Sequence, residues 1–444
     1  MTPGLAKATK FALEHGFRSH INARDRDGNT ALYVLLRHVG RTVKTAVQYD
    51  YDAEVRESIQ LLLAHGANPN APNRAGESAL HALFADGARR PLYVVRHGQV
   101  RRLKPTLHEI SAVLEILLGH GADPAQRSSP LYATPLHCAA HIFESLQPDM
   151  FVVVKTALQQ LFLQLCRDGG PACVNAVDAF GVPVFVQLLT ASRRWLTAGG
   201  GGSAQGGGGA SSFSRTFFQF LARVLQHFLR HGLNPNASLA ILRARSVGGG
   251  GVGGRTVLAS SYFREIVAFV VAPVAGADAQ FYDDARLLLV VLAQRGGNPN
   301  TATFTASSVG ADGLLLPAVG SDDTSISSLL AHVLLDRQQD SLAVAGAVAT
   351  VDFFYKTLCQ AKLRELADGI QSYVSSRAET RGGSSTLAPA SRSVLLRLTT
   401  NVPRPLRLLC RIAVADSLQW RLARGCPFLP LPRTLLHYLA NFDL

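Results

Sequence analysis

With 444 residues the chain is longer than one ordinary domain, and a hydrophobic content of 47% is enough to bury a sizeable core, so two domains or a repeat array is expected. The formal charge of +13 would suit a nucleic-acid partner, but the excess is arginine scattered along the chain without a dense basic run or interleaved aromatics, and nucleic acid is disfavoured. No apolar run reaches the roughly 18 residues of a membrane span, the longest candidate, Ile266 to Ala277, being broken at Pro273.

At the start of the chain, Lys7, Lys10 and Glu14 interrupt the place where a signal peptide would have its apolar core. The cysteines, Cys138, Cys166, Cys173, Cys359, Cys410 and Cys426, follow no disulfide framework. Reduced thiols and a cytoplasmic, or also nuclear, location are expected.

Two phrases then recur. One opens a unit: GNTALYVLL (Gly28 to Leu36), GESALHALF (Gly76 to Phe84), ATPLHCAA (Ala133 to Ala140), FGVPVFVQLL (Phe180 to Leu189) and GRTVLAS (Gly254 to Ser260). Thr30, Ser78, Thr134 and Thr256 suit helix N-caps, and Pro135 suits a first helical position, where its missing N–H is no loss. The other phrase closes a unit: LLLAHGANPN (Leu61 to Asn70), ILLGHGADP (Ile116 to Pro124), FLRHGLNPN (Phe228 to Asn236) and LAQRGGNPN (Leu292 to Asn300). Each is a leucine-rich helix stopped by glycine, which adopts the left-handed conformation at least cost. His65, His120 and His231, one residue before that glycine, suit the carbonyl end of the helix dipole and are read as helix-end residues, not metal ligands. Each unit is therefore turn, helix, connection, helix, glycine stop.

These phrases, and TPLHCAA at Thr134 to Ala140 above all, resemble the ankyrin repeat. The resemblance implies an all-α fold: an ankyrin-repeat solenoid of about five to six units over residues 1–374, loosest between about 190 and 390. In that family the imidazole at the place of His137 bonds to local backbone. Successive stops, Gly66 to Gly121 and Gly232 to Gly297, lie much further apart than the about 33 residues of a standard unit. The excess is expected between the two helices of a unit, in Val39 to Ala53, Asp86 to Pro105, Ala191 to Ser212 and Ser261 to Gln280, forming a ridge of loops or extended helices along one edge. Arg89, Arg90, Arg96, Arg101, Arg102 and Lys104 fall in one of these and read first as a solvated insert, then as a surface for an acidic substrate.

Further along, Cys166 to Val177 reads as a degenerate repeat end whose Gly169 and Gly170 keep the rhythm. Gly199 to Gly209 and Gly248 to Gly254 are glycine tracts. Thr301 to Asp323 reads as a loop, Ile326 to Leu335 and Val351 to Leu366 as helices of a last divergent unit, and residues 375–392 as a linker. GGGVGGRT (Gly249 to Thr256) imitates a phosphate-binding loop with Arg255 in place of the lysine, but lacks a strand before it. His137 and Cys138, adjacent on a helix, point about 100° apart and make a poor catalytic pair. No Gly-x-Ser-x-Gly, His-Glu-x-x-His or paired Cys-x-x-Cys occurs, so no enzyme activity, cofactor or metal is expected.

The last stretch, residues 393–444, carries two patterns in order. Pro405-Leu406, Cys410 and Val414 place an apolar stripe on one helix face, because positions four apart stack. After a break at Cys426-Pro427 come Leu429-Pro430-Leu431-Pro432 and then Leu435, Leu436, Tyr438 and Leu439; alternate prolines dictate an extended approach followed by a helix start. A unit this short needs a partner to complete its core.

Together these patterns resemble the SOCS box, and with the repeats they resemble the ankyrin-repeat and SOCS-box family. That resemblance implies a small three-helix box in which Pro405, Leu406, Cys410 and Val414 fill a pocket of elongin C, and Leu429, Pro430, Leu431 and Pro432 select cullin-5. The implied function is a non-catalytic substrate-recognition adaptor that joins elongin B, elongin C and cullin-5 with its RING subunit to an unidentified protein target, with Arg24, Arg26, Asn73 and Arg74 as candidate target contacts. Two other readings stand beside it: LPRTLLHYLANF as an F-box-like tail binding a Skp1-type adaptor, which would not require Pro405-Leu406-x3-Cys410, and a passive scaffold or basic nucleic-acid-associated protein with no ligase role.

Overall fold

A computed structural model describes residues 4–37, 39, 49–89, 100–128, 133–146, 148–198, 209–244, 255–271, 279–302, 307–309, 315–317, 325–336, 341–381, 389–399 and 404–440. The chain divides into two compact units, Met1–Ala179 with Pro183–Ala191 and His231–Leu233, and Phe180–Val182 with Ser192–Arg230 and Asn234–Leu444.

In the first unit the helices form two layers. α2 (Ala31–Leu36), α4 (Ala79–Arg89) and α6 (Pro135–Ser145) pack in one; α1 (Leu5–Glu14), α3 (Tyr49–Ala64), α5 (Val100–Gly119) and α7 (Pro148–Val174) pack in the other. The first-layer helices start as their sequences dictate. Thr30 Oγ1 accepts the Tyr33 N–H at 3.2 Å, and the Ser78 N–H donates to His81 Nδ1 at 3.1 Å. Thr134 and His137 repeat that bond at 3.3 Å. Since His81 Nδ1 accepts, its proton sits on Nε2, which donates to the carbonyl of Ala133 at 3.0 Å and ties one unit to the next. Burial lowers the His81 pKa, so this donor stays neutral. The leucines that follow the caps, Leu32, Leu80 and Leu136, are buried.

The glycine stops are left-handed, with φ of 93° at Gly66, 80° at Gly121, 97° at Gly232 and 112° at Gly296. The last stop is therefore Gly296, not Gly297, because the Asn-Pro-Asn turn that follows keeps its register from that residue. α7 breaks at Gly170, whose φ is 53°, so the glycine pair there also ends a helix.

After each stop the polar residues have separate tasks. The first, Asn68, Asp123, Asn234 or Asn298, accepts the N–H two residues on at 2.8–3.1 Å and closes an Asx turn. The second reaches the next unit. Asn22 Nδ2 donates to Gly66 O and its Oδ1 accepts the Asn68 N–H; Asn70 does the same to Gly121 and Asp123, and Asn236 to Gly296 and Asn298. Asn175 donates to Gly232 O at 2.8 Å. Sequence separations of 44, 51, 57 and 60 residues across these donations show units longer than the ankyrin standard of about 33.

Three of the expected inserts are flanked by helix: α3 begins at Tyr49, α4 runs to Arg89, α5 begins at Val100, α8 (Val184–Ala198) leads into the third insert and α9 (Gly209–Arg230) closes it. The intervening residues 40–48, 90–99 and 199–208, with Arg90 and Arg96, lie outside the described residues.

The fourth insert is a correction. Ser261, not Thr256, caps a helix: its hydroxyl accepts the Arg264 N–H at 3.2 Å, and α10 (Tyr262–Val270) is the first helix of its unit. The excess lies ahead of that helix as an antiparallel pair, β1 (Leu239–Ala244) with β2 (Arg255–Ser260), in register Leu239 to Ser260 through Ala244 to Arg255. Leu-Ala-Ile-Leu and Thr-Val-Leu-Ala favour the pleat once paired. β3 (Ser307–Val309) pairs with β2 and with β4 (Leu315–Pro317), so part of the expected loop after Asn300 is strand. Contrary to expectation a strand, β1, does precede the glycine tract, but a second strand at Arg255 removes the phosphate-loop reading, which requires a helix there. Gly248 to Gly254 lies outside the described residues.

The second unit layers α10, α12 (Ile326–Asp336) and α14 (Gln360–Arg381) together, and α9, α11 (Ala279–Gln294), α13 (Ser341–Thr357) and α15 (Pro389–Thr399) together. Phe218 of α9 stands edge-on to Phe269 and Phe281, at 5.8 and 5.1 Å between centroids, and joins α10 and α11 beneath it. The stretch expected as one helix over Val351 to Leu366 is split at Leu358-Cys359, where the Cys359 N–H donates to Asn300 Oδ1 at 2.7 Å, continuing the asparagine ladder. Residues 375–392, expected as a linker, include the end of α14 and the start of α15; Ser391 is buried and its hydroxyl donates to Leu334 O at 3.1 Å. Among the described residues the fold is thus all-α apart from four short strands, made of packed helix pairs.

Candidate functional site

The C-terminal patterns fall on three helices, α16 (Leu406–Ser417), α17 (Leu422–Gly425) and α18 (Arg433–Ala440). Pro405 is the N-cap of α16, with φ −53° and ψ 135°, and its carbonyl accepts the N–H groups of Leu408 and Leu409 at 2.8 and 3.2 Å. α16 carries two apolar stripes. Leu408, Ile412 and Ala415 are buried, and the helix packs on α13. The other stripe faces outward: Leu406 is 75% exposed, Cys410 is exposed and Val414 is half-buried. A Leu left this open forgoes about 1.5–3 kcal/mol of burial.

The helix ends at an unusual turn. Gln419 and Trp420 both have positive φ, 50° and 57°, a conformation that costs non-glycine residues of order 1–3 kcal/mol each and persists only where the surroundings over-determine it. Here the Trp420 ring is buried, its Nε1–H donates to Asp416 Oδ1 at 2.7 Å, and its backbone N–H donates to Ala415 O at 2.8 Å.

A 3-10 turn, Cys426–Phe428, follows α17. Burial pushes the Cys426 thiol pKa up, with Arg411 opposing. Leu429 is extended, with ψ 135°, and α18 starts directly after Pro432, whose carbonyl accepts the Leu435 and Leu436 N–H groups at 3.0 Å. Leu429 is half-buried, while Pro430, Leu431 and Pro432 are exposed, as are Phe428 and Leu435. The two groups read from sequence therefore sit on one small helical box, each at its surface.

Sequence reasoning missed how the box is held. Its inner face is covered by the array, so its core is completed within the chain. The buried guanidinium of Arg404 donates to the carbonyls of Leu358 and Tyr355 at the end of α13, at 2.5 and 3.1 Å, and to Gln360 Oε1 at 3.2 Å. Placed there it satisfies helix-terminal carbonyls and complements the negative end of the dipole. Desolvation lowers its pKa from the ordinary arginine value. Gln294 Nε2 donates to Ala440 O at 2.7 Å, tying α11 to α18. Arg404, directly before the Pro-Leu pair, and Trp420, four residues after Asp416, were the available signals.

Among the described residues no group of three or more His, Cys, Asp or Glu could hold a metal, and no helix is long and apolar enough to cross a membrane. His137 bonds Thr134, and Cys138 is buried with its thiol pKa raised to about 12 by desolvation. The candidate target contacts Arg24, Arg26 and Arg74 are exposed, while Asn73 is held by Glu77 and Asn29.

The capped Thr-Pro-Leu-His start, left-handed glycine stops, asparagine ladder and two-layered helix pairs define a repeat array of ankyrin type. No family model matches the chain, and no curated protein matches it. Among solved structures it is similar to an ankyrin repeat domain from Acinetobacter baumannii AYE at 17% identity, with a TM-score of 0.34, over 65% of this chain and 95% of that one. The repeat character rests on the helix pairs and the ladder themselves.

Proposed function

We propose that the chain is a substrate-recognition adaptor of a cullin-5 RING ubiquitin ligase. The observation that carries this reading is the outward stripe of α16: Leu406, Cys410 and Val414 stay at the surface while the opposite stripe packs on the array. In the SOCS-box reading this stripe fills the elongin C pocket, and Leu429-Pro430-Leu431-Pro432, held at a corner ahead of α18, contacts cullin-5. The helix pairs would hold the target. The mechanism is proximity, which raises the effective concentration of a target lysine near the thioester without a catalytic side chain here.

The test is co-purification of elongin B, elongin C and cullin-5 with the full chain, beside Leu406→Ala/Cys410→Ala and Leu429→Ala/Pro430→Ala. Wild type should recover all three, the first variant none, and the second the elongins alone. Losing the Leu406 contact should weaken elongin binding about tenfold or more, at 1.4 kcal/mol per tenfold. Recovery of a Skp1-type adaptor in place of the elongins would sink the reading.

A further inference from the structure

The box is electrostatically lopsided. Between Pro405 and Ala440 it carries Arg407, Arg411, Arg421, Arg424 and Arg433 against one carboxylate, Asp416, whose Oδ1 is taken by the Trp420 indole. Arg407, Arg421, Arg424 and Arg433 are exposed, and none has an ion-pair partner among the described residues. Two of them stand where local electrostatics opposes them. Arg407 lies in the first turn of α16 and Arg433 is the first residue of α18, beside backbone amides that carry partial positive charge, and neither helix has an acidic residue in its first turn. Arg407 and Arg411 also share one ring, with guanidinium carbons 4.5 and 5.0 Å from the Tyr438 centroid, so two like charges are held close together.

Among the described residues only the Tyr438 ring is set against the charge of Arg407 and nothing against that of Arg433, and a segment that breaks a local rule twice with so little internal compensation points to compensation elsewhere. The exposed apolar residues are interleaved with these charges: Leu406 precedes Arg407, and Arg433 lies between Leu431 and Leu435. We infer that the box docks on an acidic protein surface, one whose carboxylates rim the pockets that take Leu406 and Phe428 and neutralise Arg407, Arg421, Arg424 and Arg433. This rests on the adaptor reading and adds the chemistry of the partner face. A protein fits better than a nucleic acid, which has no use for a leucine 75% exposed and a phenylalanine 87% exposed beside the arginines. It also fits better than an anionic bilayer, which favours one continuous apolar face over short apolar stripes interrupted by arginines.

The experiment measures association of the full chain with purified elongin B–elongin C between about 50 and 500 mM salt, with Arg407→Gln/Arg433→Gln beside wild type and with phosphatidylserine vesicles as a second probe. Association should slow by about tenfold across the salt range, and at low salt the variant should associate about three- to tenfold more slowly with little change in dissociation. The same variant should melt at a higher temperature, because removing cations from helix N-termini relieves the free chain. Opposite signs in binding and stability are the signature of charges kept for a partner. Elongin binding that ignores salt and the substitutions would overturn the inference and leave the adaptor reading standing. No elongin binding at all would overturn both, and salt-dependent capture by the vesicles alone would replace the protein face with a membrane.

Discussion

The asparagine ladder makes a prediction that depends on which atom of the amide is used. Asn70 uses both: Nδ2 donates to Gly121 O at 2.8 Å and Oδ1 accepts the Asp123 N–H at 2.7 Å. Among the described residues Asn300 makes its side-chain contact through Oδ1 alone, accepting the Cys359 N–H at 2.7 Å. Replacing either by aspartate keeps an acceptor and removes a donor. Asn70→Asp therefore loses a bond of about 0.5–1.5 kcal/mol and sets a charged oxygen against the Gly121 carbonyl, for a total near 2 kcal/mol. Asn300→Asp keeps its bond, now charge-assisted, and should stay within about 0.5 kcal/mol of wild type. Stacked units can open one at a time, so the assay that reads the ladder locally is native-state amide exchange at the peptides containing Asp123 and Cys359. Protection around Asp123 should fall about 30-fold in Asn70→Asp, at 1.4 kcal/mol per tenfold, and protection around Cys359 should hold in Asn300→Asp. Equal losses in the two variants, or none in either, would refute the ladder as a source of coupling between units.

Trp420→Ala should cost about 3–5 kcal/mol locally, because it removes a buried ring and the cover that keeps two left-handed residues in place; amide exchange across α16 reports it, and unchanged exchange would show that the box does not depend on that ring. Burial raises the thiols of Cys138 and Cys173 to about 12. Each should stay protonated while the unfolded chain ionises, so its contribution to stability is complete below about pH 9 and is lost as pH rises from there toward 12, at about 1.4 kcal/mol per pH unit per thiol. Denaturant midpoints taken at pH 8 and pH 10 should therefore fall, and Cys138→Ala should flatten the slope; a midpoint indifferent to pH would contradict it. Iodoacetamide at pH 8 should label exposed Cys410 long before Cys138, Cys166 or Cys173.

What was legible from sequence follows the range of the interaction that encodes it. Thr134-Pro135-Leu136-His137 specifies a helix start within four residues, and Gly66, Gly121 and Gly232 specify stops within one turn, so both could be read directly. Thr256 misled because Thr-Val-Leu after glycine satisfies a cap as well as a strand. Only pairing with Leu239–Ala244, across a glycine tract, decides between them. The ladder was half visible: the Asn-Pro-Asn phrase was plain, but its second asparagine acts on a unit 51 to 60 residues away, beyond any local pattern. In the box the apolar stripe of α16 was legible from spacing of four. Which of its two stripes faces outward was not, since Leu408 and Ile412 have the same spacing as Leu406 and Cys410, and packing on α13 makes the choice.

That choice bears on how an adaptor of this kind would act. A box that completes its core only on binding would spend part of its interface energy on ordering, which commonly takes about 2–5 kcal/mol. Here the ordering is done in advance by groups that contact the rest of the chain: Arg404 on the α13 carbonyls, Gln294 on Ala440, and the Trp420 ring in the core. Leu406 and Cys410 are thereby presented on a helix already formed, and the energy of filling a pocket can appear as affinity. The same groups attach the box to the last helix pairs of its unit, so a target held on those pairs would stand at a set distance from whatever the box binds. An Arg404→Ala chain should then separate two quantities usually measured together. Elongin capture should survive, because Leu406 and Cys410 remain on α16, while transfer of ubiquitin to a bound target should fall as the box loses its set position. Equal loss of both would mean that Arg404 holds the shape of the box itself, and loss of neither would mean that the attachment to α13 is redundant.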